Sequence, residues 1–299
     1  MSPHADLRVE LAQLTNRTYQ VRKLSHPGRW AAGIIVAILV ILLVAAFAQG
    51  QIDWPVVAEF LTTATIMKGI VNTLLISALS MILGLVLGVV FAMMKQSPNP
   101  VNKAVAEGYI WVFRGTPVML QLLIWFNIAL VFPTIGIPGV LSWRTIDVVT
   151  PFVAAVLALG INEGAYMTEV VRAGLLSVDK GQSEAAATLG MSPAQTFRRI
   201  VLPQTLRVII PPIGNSAIGM LKTSSLATAI SARELLNATQ QIYFVNGQVI
   251  ELLMVAGIWY LAATTVLSVI QYFIERHFGR GFDGQQAARK VEPLEAEGK

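Results

Sequence analysis

The sequence predicts an all-α transmembrane protein of six helices, and three observations carry that expectation. Hydrophobic residues make up 55% and charged residues 13% of the chain, with a mean hydropathy of +0.63, a balance that a water-soluble domain does not carry. Long uncharged or nearly uncharged runs recur, each near the roughly 20 residues needed to cross about 30 Å of hydrocarbon. When six such runs are counted, the larger lysine and arginine groups all fall on one side, as the positive-inside bias requires.

The elements follow in order. Residues 1–30 carry Arg8, Arg17, Arg22, Lys23 and Arg29 and read as a cytosolic N-terminal tail with no core to bury. An extra N-terminal helix is expected over 31–48. It ends in Ala46-Phe47-Ala48, which resembles a small-residue cleavage site, but a basic stretch of about thirty residues is too long for the n-region of a signal peptide. The helix is therefore expected to be retained; its loss would leave five spans and move no later loop. Further spans are expected over 69–94, 115–143, 148–172 (interrupted by Glu163 and Glu169), 206–230 (interrupted by Arg207 and Lys222) and 252–274.

Lys95, Lys103 and Arg114 lie between the second and third spans, and Arg172, Lys180, Arg198, Arg199 and Arg207 lie between or at the edges of the fourth and fifth. Arg276, Arg280 and Arg289 follow the sixth, in a cytosolic tail over 274–299. The opposite loops hold only Lys68, Arg144 and Arg233. A multi-pass protein of the cytoplasmic (inner) membrane with both termini cytosolic is the localisation this pattern predicts.

Several function classes fall away. The net charge of +5 follows from orientation, so nucleic acid is not an expected partner. The chain has no cysteine, hence no disulfide framework and no thiolate metal site. His4, His26 and His277 lie outside the spans, and neither H-E-x-x-H nor the phosphate-binding G-x-x-x-x-G-K-[ST] occurs. No catalytic residue, metal site or bound cofactor is expected, and any energy must come from a separate ATPase subunit, which would hold the ATP and Mg²⁺, or from an ion gradient.

Between the fourth and fifth spans, Glu184 to Pro203 form a polar, basic stretch that reads as two short helices joined at Gly190-Met191. Ser192, Pro193 and Gln195 supply an N-cap, a first-turn proline and the third-position glutamine of a capping box. Gly190 is the residue best able to take the left-handed turn ending the helix before it. Phe197, Ile200 and Val201 give the second helix an apolar face away from Arg198 and Arg199. Such a hairpin either docks on a partner or lies on the lipid interface.

Within the spans, Glu163 sits near the middle of the fourth, where a carboxylate costs at least about 2.5 to 3.5 kcal/mol, so it should face a wet path or a buried cation. Asn215, Gly219 and Lys222 are spaced i, i+4, i+7, one polar stripe of the fifth span, with Lys222 roughly 10 Å nearer the outer face. A zwitterionic solute would need an acid for its cationic group and a base for its anionic one. Glu163 and Lys222, with Asn215, could provide that path; alternatively Lys222 snorkels to the outer headgroups. Pro211-Pro212 should break or kink the fifth span. At the start of the third, Arg114 either anchors at the interface or gates, Thr116 is the expected N-cap, and Pro117 occupies the first helical turn. Glu169 and Arg172 are spaced for a local ion pair.

Glu184-Ala185-Ala186, then Gly190, Ile200, Leu202 and Pro203, match in every gap the E-A-A loop of ATP-binding-cassette importer permeases. Phe113-Arg114-Gly115-Thr116-Pro117, Gly164-Ala165-Tyr166, Gly181-Gln182 and Lys222-Thr223-Ser224-Ser225-Leu226 resemble the histidine, glutamine and arginine type of polar amino acid permeases. The resemblance covers 68–273, a five-helix transmembrane domain with a coupling hairpin at about 177–203. It implies that Glu184, Ala185, Ala186, Gly190, Ile200, Leu202 and Pro203 engage an ATPase dimer. It also implies a second permease subunit, identical or related, and an extracytoplasmic solute-binding protein. The rival is an ion-coupled secondary transporter using Glu163 as a proton or substrate relay.

Overall fold

The computed structural model of the chain describes residues 27–137 and 141–279, which form helices joined by short turns and one β-hairpin. The chain divides into two compact units, Met1–Ile52 and Asp53–Lys299. Within the first, α1 (Pro27–Gln49) contains an apolar stretch, Ala31–Gln49, that is long enough to cross a membrane. Ala46, Phe47 and Ala48 are helical within it.

The second unit opens with α2 (Trp54–Phe60), started by Asp53, whose carboxylate accepts from the Val56 N–H. A long helix follows, α3 (Ala64–Gln96). Asn99 caps α4 (Pro100–Gly115) by accepting from the Val101 N–H. Helix α5 (Val118–Phe126) meets α4 at a bend of 101°. Strands β1 (Thr134–Ile137) and β2 (Leu141–Arg144) pair antiparallel with Thr134 opposite Arg144 and Ile137 opposite Leu141. Next come α6 (Pro151–Leu176) and α7 (Lys180–Thr188). A helical turn at Pro193–Thr196 then passes through a π-helical turn, Phe197–Val201, into α8 (Leu202–Thr223). A 3₁₀ segment, Ser224–Ile230, extends α8 before α9 (Leu235–Asn246) and α10 (Val249–Gly279).

The most extensive helix pair is α3 with α6, and glycine makes it possible. Gly84 and Gly88 on α3 and Gly160 and Gly164 on α6 each stand four residues apart, so each pair clears one face. A β-carbon at Gly160 would lie 2.7 Å from Leu83 Cδ2, and one at Gly164 would lie 2.8 Å from Leu87 Cβ. One at Gly88 would enter Met167. Leu83, Leu87 and Met167 fill the space these glycines leave, so the two helices approach closely and gain dispersion contact. The buried core beside this contact joins Ile76, Leu122, Ala158, Leu159, Met220 and Ile230.

Several expectations are corrected. Residues 115–143 form no continuous span: α5 stops at Phe126, and Pro133 and Gly136 turn the chain into the hairpin, so the fold is mostly helical with a small two-stranded sheet. Gly136 has φ 144°, and a β-carbon there would collide with the Leu141 carbonyl, so only glycine fits. The stretch 100–115, expected between the second and third spans, is helix α4. Thr116 is not an N-cap; Pro117 is. Thr116 ends α4 in an extended conformation because the following proline disfavours helix there. The second hairpin helix is not short but continuous with α8, and α8 passes through Pro211-Pro212 unbroken.

Three described helices are long and apolar enough to cross a membrane, or four if the bent α4–α5 pair counts as one span. A count of six does not follow from length and composition, since α6 and α8 carry the interior polar groups. The expected tails fall largely outside the described residues; of 274–299, the portion up to Gly279 continues α10.

Candidate functional site

Two features combine exposed or unpaired chemistry with a defined local structure: a polar hairpin and an interior cavity.

The hairpin is built as its residues dictate. Asp179 caps α7 by accepting from the Gly181 N–H at 2.6 Å. The helix ends at Gly190, whose φ of 75° is the left-handed turn. The Gly190 N–H donates to the Ala187 carbonyl, and the Met191 N–H to that of Ala186. The next helix starts on a complete capping box: Ser192 Oγ accepts from the Gln195 N–H at 3.3 Å, and Gln195 Oε1 accepts from the Ser192 N–H at 3.0 Å. Of the matched loop residues, Ala186 is buried, Ile200 and Leu202 are half-buried, and Glu184, Ala185, Gly190 and Pro203 are exposed. Leu189, at the tip, is 82% exposed. An apolar side chain held that far into solvent has no partner among the described residues.

The cavity, about 280 Å³, lies between α6 and α8 and is closed on one side by Val118 of α5. Asn162, Glu163 and Tyr166 of α6 face Ser216, Gly219 and Thr223 of α8 across it. Glu163 Oε1 is buried and without a hydrogen-bond partner. Gly84 of α3 lies directly behind it: a β-carbon there would come within 3.0 Å of Glu163 Cβ. The α3–α6 glycine contact therefore presses Glu163 toward the cavity. Asn162 Nδ2 donates to the Phe113 carbonyl at 2.7 Å, and Tyr109 OH donates to that of Ile161 at 2.6 Å, so α4 fixes this stretch of α6 from the other side.

Arg114 stacks on Tyr166, a residue of the cavity wall, with its guanidinium carbon 5.0 Å from the ring centroid. It stands at the α4–α5 bend, which Gln121 holds: its Nε2 donates to the Phe113 and Thr116 carbonyls and to Thr116 Oγ1. These bonds satisfy carbonyls that a terminating helix leaves orphaned. Thr116 and Pro117 thus set the bend that presents Arg114.

Not every expected residue joins the cavity. Asn215 and Lys222 lie on the exposed face of α8, and only Gly219 of their stripe lines the cavity. Ser216 and Thr223, each one position along from a predicted residue, take their place. Glu169 and Arg172 pair as expected, at 2.9 Å, and Lys95 of α3 joins them at 2.6 Å from Glu169 Oε1. That third member was not anticipated. Nor was Glu234, a fully buried carboxylate between helices.

Comparison with known proteins agrees with this architecture. Residues 84–280 match the family described as binding-protein-dependent transport system inner membrane component. The arginine transport system permease protein ArgU of Corynebacterium glutamicum is 41% identical over 93% of this chain and 89% of its own length. The L-cystine transport system permease protein TcyB of Bacillus subtilis is 36% identical over 77% of this chain and 89% of its own. A crystal structure of an amino acid ABC transporter with histidines superposes with a TM-score of 0.65 at 33% identity, covering 76% of this chain and 100% of that one.

Proposed function

Because the chain belongs to the family of binding-protein-dependent transport system inner membrane components, we propose that it is the permease subunit of an ATP-driven importer moving polar amino acids across the inner membrane by alternating access. Relatives named for arginine and cystine transport support that substrate class. An ion-coupled secondary transporter finds no support among these relatives. The chain is not itself the ATPase.

Six crossings are counted in the bilayer: α1, α3, the bent α4–α5 pair, α6, α8 and α10. Both termini and the hairpin are then cytosolic, and the β-hairpin, Lys68 and Arg233 lie outside. The transport domain occupies 68–273, preceded by the extra helix over 31–48, and the coupling hairpin spans about 177–203. An ATPase dimer receives Leu189 and the loop around Glu184, Ala185, Ala186 and Gly190. Because that hairpin runs without interruption through Ile200, Leu202 and Pro203 into α8, a push on its tip is delivered along a rigid helix to the cavity wall. A second permease subunit packs against this one, and an extracytoplasmic solute-binding protein delivers the amino acid.

The observation that carries the substrate reading is Glu163, a carboxylate on the wall of a cavity between two helices. A substrate ammonium group would pair with that carboxylate, and Arg114, over the ring of Tyr166 in the cavity wall, is the candidate cation for the substrate carboxylate. Asn215 and Lys222, on the open face of α8, line the path shared with the second permease. Uptake into proteoliposomes containing the full transporter tests the reading. Omitting ATP should abolish uptake, and collapsing the proton gradient should leave it intact; the reverse result would overturn the proposal.

A further inference from the structure

Glu234 is 0% exposed, and four donors converge on it. Oε1 accepts from Thr228 Oγ1 at 2.6 Å and from the Asn237 N–H at 2.7 Å. Oε2 accepts from Tyr260 OH at 2.6 Å and from Thr73 Oγ1 at 3.4 Å. Thr73 Oγ1 in turn accepts from the Leu235 N–H at 3.0 Å. One carboxylate therefore ties together α3, the 3₁₀ segment, the N-terminus of α9 and α10. None of the four donors is a cation; the positive end of α9, which Glu234 caps, complements its charge.

The contact with Thr228 stands apart, because it fixes the segment that extends α8. Ser216, Gly219, Met220 and Thr223 of α8 wall the cavity, and Ser224–Ile230 continue that helix while packing against α5 and α6. The segment ends at Ser231, the one non-glycine residue with positive φ (56°) among those described. A left-handed residue with a β-carbon is strained and persists only where its surroundings favour it. Here it is the C-cap of the segment: the Ser231 N–H donates to the Thr228 carbonyl and the Ala232 N–H to that of Ala227.

We propose that Glu234 is a positioning residue for the cavity: through Thr228 it holds the outer end of α8, and hence Thr223, in place against α5 and α6. This rests on the cavity being the substrate site. The consequence is directional. Loosening the Thr228 bond should free the cavity wall, whereas loosening the Thr73 bond should weaken the start of α9 and leave the wall where it is.

Since the chain has no cysteine, a single Thr223→Cys reports the wall directly. In the full transporter, the labelling rate of that cysteine by a water-soluble methanethiosulfonate is measured in the parent, T228V, E234Q and T73V backgrounds, with Ile137→Cys, exposed on the β-hairpin, as a reference outside the cavity. T228V and E234Q should accelerate labelling at 223 by roughly threefold or more, with T73V and the reference site unchanged. An unchanged rate in T228V, or equal acceleration by T73V and T228V, overturns the anchor. Uptake of L-arginine by T228V separates the two readings. Faster labelling should bring a KM several-fold higher at unchanged complex yield. Faster labelling with an unchanged KM would leave the anchor standing and strike down the cavity as substrate site.

Discussion

At the residue scale the chemistry centres on two carboxylates with opposite surroundings. Glu234 has every acceptor position served by the protein, and Glu163 has a buried oxygen with nothing to accept from. A carboxylate left short of a donor near mid-membrane is held there at a cost, and a ligand that supplies the donor recovers it. Glu163→Gln should raise the KM for amino acid uptake at least roughly tenfold, the scale of losing a hydrogen bond to a charged group, while complex assembly is unchanged. Initial uptake rates across substrate concentrations check this. Arg114→Lys should also impair uptake despite keeping the charge, because lysine lacks the planar guanidinium that stacks on Tyr166. Equal KM values for Arg114→Lys and the parent would show the stacking to be incidental.

At the scale of elements, what could be read from the sequence was what neighbours in the chain decide. The hairpin's capping box, its glycine turn and the Glu169–Arg172 pair all involve residues within four positions, and each stands as expected. The 115–143 span failed because a count of charges overlooks turn chemistry: Pro133 and Gly136 carry no charge, yet they open a β-hairpin in place of a helix. The α8 stripe failed for a different reason. Asn215 and Ser216 differ by about 100° around a helix, and polarity cannot choose between adjacent faces when both are polar. Glu234 was out of reach altogether, since Thr73 lies 161 residues from it. Two predictions belong here. Gly190→Ala should cost about 1 to 2 kcal/mol of hairpin stability by placing a β-carbon at φ 75°, and should lower the yield of ATPase co-purifying with the permease. Gly88→Leu should separate α3 from α6 and leave little folded protein, measured as loss of the monodisperse peak in detergent.

At the scale of the whole molecule, the proposed mechanism requires the hairpin and the β-hairpin to face opposite compartments. In that mechanism a force applied at Leu189 would travel through the helix that begins at Pro193, continues into α8, and reaches Thr223 and the 3₁₀ segment. Glu234 then fixes the far end, so that α8 pivots between a driven and an anchored terminus rather than translating freely. The continuous π-to-α connection matters for this, because a flexible loop in its place would absorb the displacement. Sidedness is the condition on which the path depends, and the cysteine-free chain makes it measurable. Leu189→Cys should react with a membrane-impermeant maleimide only in inside-out vesicles, and Ile137→Cys, exposed on the β-hairpin, only in intact cells whose outer surface is accessible. If Leu189→Cys reacted from the outside, no ATPase in the cytosol could act on α8, and the transmission from hairpin to cavity would have to be abandoned.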